Sequence, residues 1–203
     1  LQYEFGKLLP KNDSTNVEYE NFRSSYGQDG LVIVVSTEID DFYTVDKFAK
    51  WHELGMKIKN LQIKVKGSDP AEYVSPIDSV FSEALLYNIV KNKESQKFDL
   101  TPLFSEVPTS QSQIDSIRDV VHGLPFYEDM IYKDSSNIHL MMIFVNEAVF
   151  NSKSRGSLVA DVQALCETYH EEFGQLRYSG LPYVRSVTMS KVKSELGLFV
   201  FLA

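Results

Sequence analysis

The run Leu31-Val32-Ile33-Val34-Val35 constrains this chain more than any other segment. Five apolar residues follow one another with no polar alternation, and four of them are β-branched. A segment of that kind reads as a central strand covered on both faces. The rest of the chain must supply the cover.

From Thr44 to Lys59 the positions Phe48, Trp51, Gly55 and Ile58 recur every three or four residues. That is the spacing of a helix laid on a sheet. Residues 61–65 alternate as a strand does, and residues 77–81 are a second strand candidate. Residues 138–145 are strand-like. From Ser157 to Phe173, the residues Leu158, Val162, Leu165, Tyr169 and Phe173 form one helical stripe that Gly174 ends. Residues 175–179 are a last strand, and Gly180-Leu181-Pro182 turns the chain into a last helix, with Pro182 suited to its start. The order is strand 31–35, helix 44–59, strand at 61–65 or 77–81, strand 138–145, helix 157–173, strand 175–179. This βαββαβ pattern predicts an α+β fold, a ferredoxin-like split-βαβ sandwich. Right-handed crossovers put both helices on one face of an antiparallel sheet.

Between the two halves lies an insertion, from about 82 to 133. A short helix is expected over 82–91, then a polar excursion over 92–108. Ser110 and Gln113 have capping-box spacing and open a helix through Ile114, Ile117 and Val121, stopped by Gly123 and Pro125. Residues 128–133 are strand-like and joined to 138–145 by Asp134-Ser135-Ser136-Asn137, a hairpin signal. Ahead of the core, Thr15 and Glu18 suggest a capped helix with Tyr19, Phe22 and Tyr26 on one face, ending at Gly27.

The net charge is −8, which argues against nucleic acid, because phosphate binding needs clustered Lys and Arg. The single cysteine, Cys166, excludes an intramolecular disulfide and falls among Val162, Leu165 and Tyr169, where it reads as a small buried hydrophobe. None of His52, His122, His139 and His170 lies three or four residues from another. No phosphate loop, nucleophile elbow or HExxH pattern is present. Asp40-Asp41 sits where it serves a helix dipole and solvent. The expectation is therefore a non-enzyme with no metal and no cofactor. The aromatic residues Phe126, Tyr127 and Tyr183 stand at element ends, as partial core or as the lining of an apolar path.

The last eight residues, Leu196 to Ala203, are apolar and uncharged. A span needs about 20 such residues, so the run reads as the first turns of a membrane helix cut short; the other reading is a helix or strand docked in the core. The expected division is a domain over residues 1–182 and a helix over 183–203 that leads into the membrane.

Three further segments carry a resemblance. They are Phe5-Gly6-Lys7-Leu8-Leu9-Pro10-Lys11-Asn12-Asp13 ahead of a helix and a hydrophobic strand, Ser79 to Val90, and Leu124-Pro125-Phe126-Tyr127-Glu128. With Tyr178-Ser179-Gly180-Leu181-Pro182-Tyr183-Val184-Arg185, they resemble the first extracytoplasmic loop of the resistance–nodulation–division exporters, in an MMPL-like bacterial branch. The stretch Lys64 to Ile77 departs from that pattern, being longer and more polar than a direct turn. The resemblance implies a periplasmic porter domain between the first and second membrane helices of an inner-membrane protein. It implies proton-driven movement of hydrophobic or amphiphilic cargo such as a lipid, a sterol-like compound or a drug. The implied partners are the membrane part of the same polypeptide, a second similar loop domain, and a homo-oligomer or periplasmic adaptor. Gly180, Pro182, Tyr183, Arg185, Phe126 and Tyr127 are the candidate cargo-path or coupling residues, with a purely structural turn as the other reading of 179–185. A periplasmic docking module that holds a lipid or a protein without transport is the alternative function.

Overall fold

A computed structural model describes residues 10, 12–26, 30–64, 73–91, 98–104, 106–124, 127–128, 130–133, 136–150 and 155–202. The chain opens with α1 (Ser14–Tyr26), then β1 (Val32–Glu38) and α2 (Val45–Lys59). Two short strands, β2 (Ile63–Lys64) and β3 (Tyr73–Val74), precede β4 (Ile77–Ser82). The insertion holds β5 (Tyr87–Lys91), β6 (Phe98–Pro102) and α3 (Gln111–His122). The second half comprises β7 (Ile138–Val145), α4 (Glu147–Phe150), α5 (Arg155–Glu167), α6 (His170–Phe173), β8 (Arg177–Ser179) and α7 (Leu181–Leu202).

The fold is α+β around a four-stranded antiparallel sheet in the order β4-β7-β1-β8. The β1–β7 ladder runs from Val32↔Phe144 to Glu38↔Ile138 and sets the register of the rest. Period-2 geometry then puts Ile33, Val35, Met141, Ile143 and Val80 on one face. All five are buried with Phe48, Trp51, Leu54 and Ile58 of α2 and Leu158, Val162 and Cys166 of α5. Both helices thus cover the same face. Gly55 allows a close approach in this layer: a Cβ there would lie 2.3 Å from Leu85 Cδ1.

The other face differs from what five consecutive apolar residues suggest. In β1 burial alternates, with Ile33 and Val35 sealed and Val32 and Val34 only half-buried. Cover on that side comes in part from the insertion. Leu86, Val121, Tyr127, Ile131 and Tyr132 form a second cluster against which Met142 packs. Phe81 meets Tyr87 and Phe144 there, each at 5.5 Å between ring centroids.

Several local expectations are corrected. Of the two candidates for the second core strand, β4 enters the sheet, whereas β2 pairs only with β3. Residues 82–91 form no helix: Leu85 N–H donates to Ser82 O at 2.8 Å and closes a turn, and β5 follows. Its partner is β6, Tyr87↔Pro102 to Lys91↔Phe98, so part of the expected polar excursion is a strand. β-branched and aromatic residues in 87–90 favour that outcome once a partner is available. Among the described residues of 128–133 there are isolated bridges, Glu128↔Tyr132 and Tyr132↔His139, and no hairpin strand. The helix over 157–173 breaks at Thr168-Tyr169, where Thr168 N–H and Tyr169 N–H donate back to Leu165 O and Cys166 O. Its inner stripe is Leu158, Val162, Cys166, Tyr169 and Phe173, and Leu165 is only partly buried. The cap of α1 is Asp13, whose Oδ1 accepts Thr15 N–H at 2.9 Å, rather than Thr15. The capping box at α3 is present, with Gln113 Oε1 accepting Ser110 N–H at 3.2 Å.

α7 packs its first turns against α5 and β1, while residues 190–197 are exposed. Among the described residues no helix is long and apolar enough to cross a membrane.

Leu158 is one of the α5 side chains fully buried in the main core. Leu158→Ala is expected to cost about 2–5 kcal/mol, as for other large-to-small changes in a core. Leu165→Ala, at a partly exposed site, should cost clearly less. Urea denaturation of the two variants checks both the size and the order.

Candidate functional site

The junction between β8 and α7 is built around Gly180. Its φ is +99°, and a Cβ at this position would lie 2.1 Å from Val32 O. Backbone therefore rests on backbone, which only glycine permits. Gly180 O accepts Val184 N–H at 3.0 Å, the first bond of α7. Pro182 is buried in the first turn, where its missing N–H leaves no donor unpaired. Tyr183 is half-buried and packs on Tyr178, ring centroids 5.7 Å apart. Arg185 is half-buried two residues on. Behind Tyr178 lies Cys166, whose thiol burial pushes up to about 12. The Tyr178 phenol is also raised, first by burial and then by its proximity to Cys166.

The other named pair does not join this junction. Tyr127 lies in the second cluster, 6% exposed, and its hydroxyl donates to Tyr87 O at 3.0 Å. Tyr183 packs against the main core instead. Phe126 lies outside the described residues.

A second constellation forms where α3, the turn before α2 and the sheet meet, and the sequence reading missed it. Glu83 is fully buried in the turn after β4. Its Oε1 accepts the Tyr43 hydroxyl at 2.9 Å, and its Oε2 lies 2.7 Å from His139 Nδ1. Tyr43 Oη is in turn 3.2 Å from His122 Nε2 at the end of α3. Phe42 stacks flat on the His139 imidazole at 3.8 Å, and Tyr132 stacks on His122 at 4.5 Å. The Arg118 guanidinium lies 5.2 Å from the Tyr43 ring centroid. Burial, and then the Glu83 carboxylate, hold the Tyr43 phenol well above its ordinary range. Tyr43 thus stays protonated and donates. Two signals pointed here: Glu83 is a lone charge inside Val80-Phe81-Ser82-Glu83-Ala84-Leu85-Leu86, and His139 shares the inward parity of Met141, Ile143 and Val145.

No family model, curated protein or solved structure matches this chain. The resemblance stated above rests on its residues alone. Among the described residues, no three His, Cys, Asp or Glu side chains are grouped to hold a metal ion. Beside the buried constellation is an open hollow of about 270 Å³ lined by Tyr132, Lys133, Ser136, Ile138 and Leu140. It is smaller than the usual cleft for a drug-sized ligand.

Two outcomes follow from the junction. Gly180→Ala should destabilise the fold by at least about 1–3 kcal/mol from backbone strain alone, with the clash against Val32 O added; thermal unfolding measures it. The Cys166 thiol keeps its proton in the folded state up to about 12, against 9.0 for the free group. Above pH 9 the unfolded chain therefore holds fewer protons, and stability should fall as pH rises through that window. A Cys166→Ala variant, compared by denaturant midpoint at pH 8 and 10.5, should show a smaller decline.

Proposed function

We propose that this chain is the extracytoplasmic porter domain of a resistance–nodulation–division-type exporter of the bacterial inner membrane. In this reading the fold is a ferredoxin-like split βαβ unit with a large insertion. It sits in the periplasm beside a second, similar loop domain and helps to pass hydrophobic or amphiphilic cargo, while the membrane part of the polypeptide couples transport to proton flow. No chemistry is assigned to it.

The observation that carries the reading is the β8–Gly180–α7 junction. It ties the sheet rigidly to a 22-residue helix whose far turns leave the body of the domain. A domain that must pass motion between a sheet and a membrane helix needs such a joint. The strand order β4-β7-β1-β8, with α2 and α5 covering one face, supports the fold side of the reading. The half-buried apolar positions Val32, Val34, Met142 and Phe144 on the opposite face suit contact with apolar cargo or a partner domain.

Gly180 is a poor place to test coupling, because its replacement disturbs folding directly. Tyr183→Ala combined with Arg185→Ala avoids the backbone contact. In the full-length parent protein this double variant should reduce export severalfold at unchanged expression, with the domain still folded by circular dichroism. Undiminished transport would leave the junction a structural turn. Retained lipid or protein binding by a parent that exports nothing would favour the docking-module alternative.

A further inference from the structure

The junction at Gly180 has a counterpart on the chain that it touches. Strand β8 pairs with β1 from Ser36↔Arg177 to Val34↔Ser179. One step further along the same register, Gly180 meets the backbone of Val32 and Ile33. There the ladder ends, because the chain turns into α7. Contact between the two segments nevertheless continues. Leu181, the first residue of α7, lays its side chain over Gly30, just ahead of β1. A Cβ at Gly30 would lie 2.7 Å from Leu181 Cδ2 and 3.3 Å from Leu181 Cβ. Gly30 has a φ of +76°, a backbone conformation that disfavours other residues as the +99° of Gly180 does. Each segment thus offers a glycine to the other. Gly180 receives the main chain of Val32, and Gly30 receives the side chain of Leu181.

We infer that Gly30 and Leu181 form a latch that fixes the base of α7 to the chain entering β1, so that the entry and the exit of the sheet move as one piece. The notch at Gly30 is itself anchored. Its neighbour Leu31 accepts Val145 N–H at 2.7 Å and packs on the main core. The side chain that fills the notch adds little by burial, since 38% of Leu181 remains exposed. What the contact supplies is position. It also reaches the helix and not only a side-chain tip. Leu181 Cδ2 can turn aside from a larger residue at position 30, but Leu181 Cβ moves only with the backbone of α7. That backbone is closed on the same spot by the bond from Val184 N–H to Gly180 O at 3.0 Å. The Gly180 contact therefore fixes where α7 begins, and the Leu181 contact adds its direction.

The use of this latch in coupling rests on the transport reading above. In that reading a displacement of either connection reaches the other without any rearrangement of the core. The latch itself concerns this chain alone and is tested on it.

The test is a pulsed electron-spin distance measurement on the 203-residue chain. Spin labels are attached at Asp46→Cys on α2 and Lys193→Cys on α7, in a Cys166→Ala background. The unaltered junction should give one narrow distance distribution. Gly30→Ala, which drives a methyl group against Leu181, should shift its mean. Leu181→Ala, which empties the notch and spares the backbone, should broaden it and speed exchange of the Val184 amide severalfold. The loss of stability caused by Gly30→Ala should be several times smaller when Leu181 is also Ala, because the cost of the positive φ is common to both backgrounds and the contact with Cδ2 is not. If Gly30→Ala does not fold, Leu181→Ala decides the matter. An unchanged mean and width in the folded variants overturns the inference, and so does strict additivity of the two substitutions. In the full-length parent, Leu181→Ala should reduce export severalfold at unchanged expression. Full export beside an altered distance distribution would reject the transport use and keep the latch, whereas an unaltered distribution rejects the latch whatever export does.

Discussion

The ladder between β1 and β7 is the interaction on which everything else is hung. Seven pairs, from Val32↔Phe144 to Glu38↔Ile138, hold the two central strands at one register. A slip of β1 by one residue along β7 would turn Ile33 and Val35 away from α2 and α5 and bring Val32 and Val34 inward. β4 reads its position from β7, and β8 reads its position from β1. The ladder also aims His139 at the helical layer, because it shares parity with the core residues of β7. Buried Thr37, at the far end of β1, donates to Phe173 O at 2.9 Å and ties α6 to the same ladder.

Elements whose partners lie across a clear hydrophobic period were legible in the sequence. The helix over 44–59, the strand over 138–145 and the junction at Gly180 fall where periodicity and turn chemistry put them. What escaped were elements decided by distant partners. Tyr87-Asn88-Ile89-Val90 suits a helix or a strand, and only the pairing with residues 98–102 selects the strand. Leu165 and Cys166 are neighbours on a helix, and both continue the spacing of Leu158 and Val162, so periodicity alone does not select the one that faces the core. The constellation around Glu83 was legible only as two separate signals, a lone charge at Glu83 and an inward-facing His139, for the same reason. Its four members come from positions 43, 83, 122 and 139, with no motif linking them, and a lone histidine in a strand normally signifies only packing.

That constellation sits at the seam between two apolar clusters, with Ile114 of α3 in the main core and Val121 in the second. An apolar seam would hold the two together with less penalty from desolvation. A polar one defines a single arrangement, since each hydrogen bond fixes a partner and a direction. Asn137, whose side-chain amide donates to Asp40, and Gln111, which donates to Tyr43 O at 2.8 Å, extend the same logic to the surface. The turn before α2 is thereby held by contacts from three separate parts of the chain.

The close approach at Gly180 has a mechanical meaning. Because main chain abuts main chain there, no rotamer change can absorb a rotation of α7 at its base. A helix of 22 residues is about 33 Å long. A swing of about 5° at the pivot would therefore carry its far turn through roughly 3 Å by that length. At such a joint the gain would be set by the length of the rod rather than by its side chains.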